Sequence, residues 1–337
     1  VSSGSQQLLF ILTDILVDPG DIVITGWPSY FVYTGVLRAA GAEVRGVDLD
    51  EDGMIPEALE ATLAGIEAEG KLDRVKIVCV CDYYQNPTGI TLSADRRGRI
   101  LDIVRAWSKD HLICLIEDAA YRELHAADVR PPETIKSLEA DNRQAVFTST
   151  ISKPFSPGLR TGYAFLPEAL VEPVLNQKGN HDFGSSNFNQ HLIWRALRDG
   201  LYGRHVDHLR RRYDQKREAM LAALGEHLGG LAPGIRWTHP TGGLYVYVTL
   251  PEDVDTGGDG PLFQAALDEG VLYVPGQFCY VPDATRPVPR NQLRLTHGTV
   301  DETAIDEGVR RLGRAVARVL GRGAYAPAAG ERGARTP

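Results

Sequence analysis

The stretch TSTISKPFSPGLRTGY, Thr148 to Tyr163, sets one lysine among small hydroxyl residues, with an arginine seven positions further on. A lysine becomes a Schiff-base nucleophile when it is reachable and its ammonium is destabilised by burial or by nearby positive charge. Lys153, just past the strand-like run AVFTST, meets the sequence half of that requirement, with Arg160 as the neighbouring charge; the alternative is a solvated loop lysine. Asp118 closes the apolar run LICLIED, where a buried carboxylate needs a partner. A protonated aromatic ring nitrogen would be such a partner, and helix capping or a buried salt bridge are the other readings. Tyr121 can offer its phenol to a ligand oxygen or fill a core. In QNPTG, Pro87 fixes φ and Gly89 permits a sharp turn, so the amide of Asn86 can be held at a defined angle.

A second group of residues suits an anion. The opening SSGSQQ places a flexible glycine and hydroxyls directly before a helix, whose N-terminal N–H groups form a ready anion site. Thr150, Ser152 and Arg160 can add hydroxyl donors and a bidentate guanidinium. These separate segments suggest one phosphate pocket, and with no P-loop and no G-x-G-x-x-G after a strand they do not suggest a nucleotide.

The elements that must position these residues alternate. QQLLFILTDILV has helical spacing, DIVITG reads as a strand, Tyr30 to Ala40 as a helix, AEVRGVDLD as a strand, and a helix begins after Pro56. Then come the strand VKIVCVC, the loop DYYQNPTG, a helix N-capped by Ser93, and the strand LICLIED. Continuous apolar strands between helices indicate a parallel or mixed sheet covered on both faces, with ligands at the carboxyl ends of its strands. Asn86, Asp118, Tyr121 and Lys153 all fall at such ends. Tyr202 to Leu228 reads as one long connecting helix. GIRWTHPTGGLYVYVTLP, GPLFQAALDEG, VLYVP, QLRLTHG and TAIDEGVRRLGRAVARVL then suit a small α+β domain. The expected division is a large domain over 1–205, a small C-terminal domain including the connecting helix over 206–322, and a disordered tail over 323–337.

Composition narrows the class. A net charge of −8, from 36 basic and 44 acidic residues, argues against a general nucleic-acid binder. Apolar runs such as KIVCVC are strand-length, well short of a bilayer span. Cys79, Cys81, Cys114 and Cys279 lack zinc-type spacing and are read as buried reduced thiols, with no metal site expected. With no signal peptide visible, a cytoplasmic setting is expected. The chain starts at Val1 with a functional-looking loop in its first six residues, so upstream sequence is expected in the native protein.

Taken in order, SGSQQ, WPSY, QNPTG, EDAAY, TISK and PGLRTGY resemble the fold type I pyridoxal-phosphate enzymes, specifically the class I/II aminotransferases near the kynurenine/α-aminoadipate branch. The resemblance runs from Val1 to about Leu320. It implies an α/β fold, a large domain with a mostly parallel sheet between helices plus a small α+β domain, and pyridoxal 5'-phosphate as cofactor. Lys153 would bond the cofactor's aldehyde carbon and move the proton. Asp118 would pair with the pyridinium nitrogen, Tyr121 and Asn86 would hydrogen-bond the phenolic oxygen, and Tyr30 would stack on the ring. Ser5, Gln6, Thr150, Ser152 and Arg160 would hold the phosphate. Arg294 in NQLRLTHG would clamp a substrate carboxylate, and Asn86 would also contact the substrate. A homodimer acting on an α-amino acid and a 2-oxo acid is implied, with neither nucleic acid nor membrane as partner.

The chain departs from the family pattern at several points. Ala119 and Ala120 stand where relatives often carry Asp-Pro, LTHG replaces Leu-Ser-Phe, and Tyr83 and Tyr84 precede the asparagine loop. The stretch GNHDFGSSNFNQ reads as a loop, with His181 either a substrate or proton contact or a hydrogen-bonded loop histidine. Two other readings use the same residues: a tailoring reaction on an amino-acid-derived metabolite (decarboxylation, β- or γ-elimination or replacement, or carbon–carbon bond formation), and a non-catalytic cofactor-binding domain of a regulator.

Overall fold

The computed structural model describes residues 1–282 and 286–321. The tail expected over 323–337 lies outside the described residues. The chain runs α1 (Ser5–Leu16), β1 (Ile22–Trp27), α2 (Phe31–Ala39), β2 (Glu43–Asp50), β3 (Gly53–Met54), α3 (Pro56–Ala68), β4 (Val75–Cys81), α4 (Ala94–Trp107), β5 (Cys114–Asp118), α5 (Ile135–Leu138), β6 (Ala145–Thr150) and β7 (Gly162–Phe165). It continues through α6 (Glu168–Asp182), α7 (Asn187–Arg198), α8 (Leu201–His227), β8 (Arg236–Trp237), β9 (Tyr245–Thr249), α9 (Pro261–Asp268), β10 (Val274–Pro275), β11 (Gln292–Thr296) and α10 (Glu302–Val319).

Seven strands form one sheet in the order β3-β2-β1-β4-β5-β6-β7. β2, β1, β4, β5 and β6 are mutually parallel, and β3 and β7 run antiparallel at the two edges. The central strands are buried almost throughout, which is why they read as unbroken Val, Ile and Cys runs rather than alternating ones. One face is covered by Leu59, Leu63 and Ile66 of α3 with Ile100, Leu101 and Val104 of α4. The other is covered by Leu9, Ile11 and Leu12 of α1, Tyr33 and Leu37 of α2, and Leu170 and Val174 of α6. The chain leaves β1 toward one edge and returns on its other side as β4, a topological switch that opens a crevice at the strands' carboxyl ends.

A second sheet, β10-β11-β9-β8, is antiparallel throughout. Its core joins Met220 and Leu224 of α8, Leu262 of α9, and Ile305, Val309, Leu312 and Val316 of α10 to Val246, Val248 and Leu293.

Four local readings are refined. GIRWTHPTGGLYVYVTLP is two antiparallel strands, because Pro240 and the positive-φ Gly243 (φ 73°) turn the chain between them. VLYVP supplies only the two residues of β10. Ser93 occupies the N-cap position of α4, but its side chain makes no capping bond. His181 lies in the last turn of α6 rather than in a loop: the Lys178–Asp182 ion pair, 2.7 Å, ties that turn, and the helix ends only at Phe183 with φ 55°.

Candidate functional site

One cleft collects the chemistry. Tyr30, Asn86, Asp118, Tyr121, Thr150, Ser152, Lys153 and Arg160 line it together with Gly4, Ser5 and Gln6 of the opening segment and with Cys81 and Ala120, around about 590 Å³ of space including the part open to solvent. All ten residues expected around the cofactor thus meet at the carboxyl ends of β1, β4, β5 and β6. Arg294 of β11 adjoins them through its Nη1, which donates to Asn86 Oδ1 at 2.7 Å.

At one end sit anion donors. The N-terminus of α1 presents its first-turn N–H groups, and Gly4 before it has φ 94°, a conformation that favours glycine. A Cβ on Gly4 would stand 2.9 Å from Arg160 Nη2, so the missing side chain is what lets the guanidinium lie over the helix end. From the other side β7 presses its own backbone against that end: a Cβ on Gly162 would stand 2.6 Å from both Gly4 C and Ser5 N. Arg160 donates to Ser152 Oγ (3.3 Å) and Ser3 O (3.3 Å), and Thr150 Oγ1 accepts from the Ser152 N–H (3.1 Å). Gln6 Oε1 is buried and finds no hydrogen-bond partner among the described residues.

At the other end lies a carboxylate in need of a cation. Asp118 is buried at the end of β5 and accepts a bond from the Ala120 N–H at 3.3 Å. Among the described residues it forms no ion pair. Burial, reinforced by the charge of Asp82, pushes its carboxyl up to about 7, against the opposing pull of the Ala120 N–H and of Lys153. Behind it Arg97, itself buried, binds both Asp82 and Glu117, the latter at 3.1 Å, and Glu117 is held well above the usual carboxylate range by burial first and Asp82 second. Lys153 Nζ lies 5.4 Å from the centre of the Tyr121 ring. Tyr30 is raised to about 12 by burial and then by the charge of Asp118.

These features fit a phosphorylated pyridine aldehyde: anion donors at one end, a cation-seeking carboxylate at the other, and a half-buried amine beside the space between. The Asn86–Pro87 peptide is cis, with Gly89 at φ 73° in the same turn. His181 stands apart from the cleft lining; it stacks on Phe10 with ring centres 5.3 Å apart, its Nδ1 lies 3.3 Å from Gln7 Nε2, and the adjoining Asp182 accepts from Gln7 at 2.8 Å.

Sequence reasoning missed Tyr245. Its hydroxyl is 3.1 Å from that of Tyr121, and its ring lies 4.4 Å from the Arg294 guanidinium. Only the alternation of GGLYVYVT hints at a side for it, and nothing local places it against a residue 124 positions away.

The sequence matches the family described as aminotransferase class I and II over residues 1–312. It is 32% identical over 315 residues to aromatic-amino-acid aminotransferase 1 of Thermococcus litoralis, covering 94% of this chain and 71% of that protein. The crystal structure of LysN, an α-aminoadipate aminotransferase from Thermus thermophilus complexed with N-(5'-phosphopyridoxyl)-L-leucine, superposes with a TM-score of 0.82 at 32% identity, covering 95% of this chain and 77% of that one. An uncharacterized HTH-type transcriptional regulator of Bacillus subtilis, YdfD, is 29% identical over 322 residues, covering 96% of this chain and 62% of that protein. From the family match over residues 1–312 and from the fold it shares with LysN, the chain belongs to the class I and II aminotransferases.

Proposed function

We propose that the protein is a pyridoxal-phosphate-dependent aminotransferase that moves an amino group between an α-amino acid and a 2-oxo acid. The observation that carries this reading is the meeting of Lys153, Asp118 and the α1 N-terminus in one cleft. Ser5, Gln6, Thr150, Ser152 and Arg160 would hold the phosphate, Asp118 would keep a proton on the ring nitrogen, and Tyr121 and Asn86 would donate to the phenolic oxygen. Tyr30 would lie against the ring. When bound, pyridoxal phosphate supplies an electron sink for negative charge on the carbon that bears the amine.

The chain's own residues do the rest. Lys153 would hold the cofactor through its Nζ, and the same amine would serve as the base that takes a proton from the substrate Cα and gives one back. Arg294 binds the substrate carboxylate through the guanidinium edge not engaged by Asn86, a planar task that lysine performs poorly. The two-sheet architecture supports a division near 205/206, in the first turns of α8. A homodimer is supported by an apolar surface on α6, α7 and their connection, where Leu175, Phe183, Phe188 and Trp194 are exposed. Four free cysteines suit a reducing, cytoplasmic setting. Among the described residues no helix is long and apolar enough to cross a membrane.

The test mixes the protein with pyridoxal phosphate, a panel of amino acids beginning with aromatic ones and 2-aminoadipate, and 2-oxoglutarate. Glutamate should accumulate, and borohydride should fix the cofactor on Lys153. A reducible adduct at another lysine in Lys153→Ala would refute the site. Product without glutamate would point to a tailoring reaction. The likeness to YdfD favours one further reading, a regulator's cofactor-binding domain, for which cofactor binding without turnover would speak.

A further inference from the structure

Tyr245 opens β9 in the small sheet, while Tyr121 follows β5 in the large one. Their hydroxyls lie 3.1 Å apart, and their rings meet edge to face with centres 5.6 Å apart. The Tyr245 ring also lies under the Arg294 guanidinium, which in turn reaches Asn86. One side chain therefore touches both the phenol expected to face the cofactor and the arginine expected to face the substrate. Other titratable groups face the pair from separate elements: Tyr30 before α2, Cys81 at the end of β4, Lys153 after β6, and Arg294.

We propose that Tyr245 is a positioning residue of this site: its hydroxyl steers and strengthens Tyr121 as a donor, and its ring carries Arg294. This rests on the pyridoxal-phosphate reading above. When Tyr121 gives its single O–H to the cofactor's ring oxygen, its own oxygen is left to accept, and the Tyr245 hydroxyl is placed to donate to it. A donor whose oxygen accepts a second bond is polarised and donates more strongly. The stronger donor favours the deprotonated form of the ring oxygen and so lowers the pH at which the bound chromophore loses its proton.

The experiment follows visible absorbance of the cofactor-loaded protein against pH, together with the KM for an amino-acid donor. Tyr245→Phe keeps the ring and removes the hydroxyl, so the absorbance midpoint should rise by about 0.3 pH units, the size of a secondary strengthening of one bond, with KM unchanged. Tyr245→Leu removes the ring as well, and KM should then rise about two- to fivefold through loss of the cation–π contact. In a Tyr121→Phe background the Tyr245→Phe shift should vanish, because the effect passes through Tyr121. An unmoved midpoint in Tyr245→Phe, or a shift that persists without the Tyr121 hydroxyl, overturns the inference while leaving the cofactor assignment intact. If the unsubstituted protein shows no absorbance band with pyridoxal phosphate, the proposed function falls and this inference with it. Loss of thermal stability with normal midpoint and KM would make Tyr245 merely structural, which also overturns it.

Discussion

Asp118→Asn should stabilise the cofactor-free protein while weakening its hold on the cofactor. In the fold the Asp118 carboxyl stands at about 7, raised from 3.8 chiefly by burial. An acid whose folded value exceeds its unfolded value binds more protons in the native state, so stability falls as pH rises between the two values. Over the whole window the loss is on the order of 4 kcal/mol, with about 2.5 kcal/mol of it between pH 5 and pH 8. Asparagine carries no charge and escapes this loss. Urea unfolding of the cofactor-free wild type and Asp118→Asn at pH 5 and pH 8 measures it: the variant's advantage should be about 2 to 3 kcal/mol larger at pH 8. With cofactor the sign should reverse, because a protonated ring nitrogen gives the carboxylate the partner it lacks, and the variant should bind the cofactor at least tenfold more weakly. An advantage that does not change between the two pH values would refute the reasoning, since Asp118 would then ionise in the fold as it does in the unfolded chain.

Two further predictions concern what lies around that carboxylate. Gly162→Ala forces a Cβ to within 2.6 Å of Gly4 C and Ser5 N, so the α1 end must shift. Cofactor and inorganic phosphate should bind several-fold more weakly, and about 1 to 3 kcal/mol of stability should be lost, read by titration calorimetry and urea unfolding. Arg97→Met strands two buried carboxylates, Asp82 and Glu117, and should cost about 3 to 5 kcal/mol in the same unfolding assay.

Much of this was legible in the sequence, because strand ends in a parallel sheet are marked by where apolar runs stop. Asn86, Asp118 and Lys153 each follow such a run, and the fold brings all three to one crevice. What resisted reading is long-range packing. Gly162 looks like any strand-initiating glycine until the backbone of Gly4 lies against it, and Arg97 looks like a helix-surface arginine until Asp82 and Glu117 surround it. His181 departs from its loop reading for a different reason: Gly179, Asn180 and Gly184 suggest a loop, yet local propensity is a weak signal beside the ion pair between Lys178 and Asp182 and the packing of α6 on α1.

The bond from Arg294 to Asn86 has a consequence for recognition. A free arginine side chain visits many rotamers, and a ligand that captures it must overcome that freedom. Here Asn86 on one side and the Tyr245 ring beneath hold the guanidinium plane, while among the described residues its Nε has no hydrogen-bond partner. The ordering of the clamp is thus completed when the chain folds and does not weaken each encounter. If Arg294 binds the substrate carboxylate as proposed, a molecule with an amine but no carboxylate gains nothing from that rigidity, and discrimination between amino acids and simple amines would begin in the folding of the protein itself.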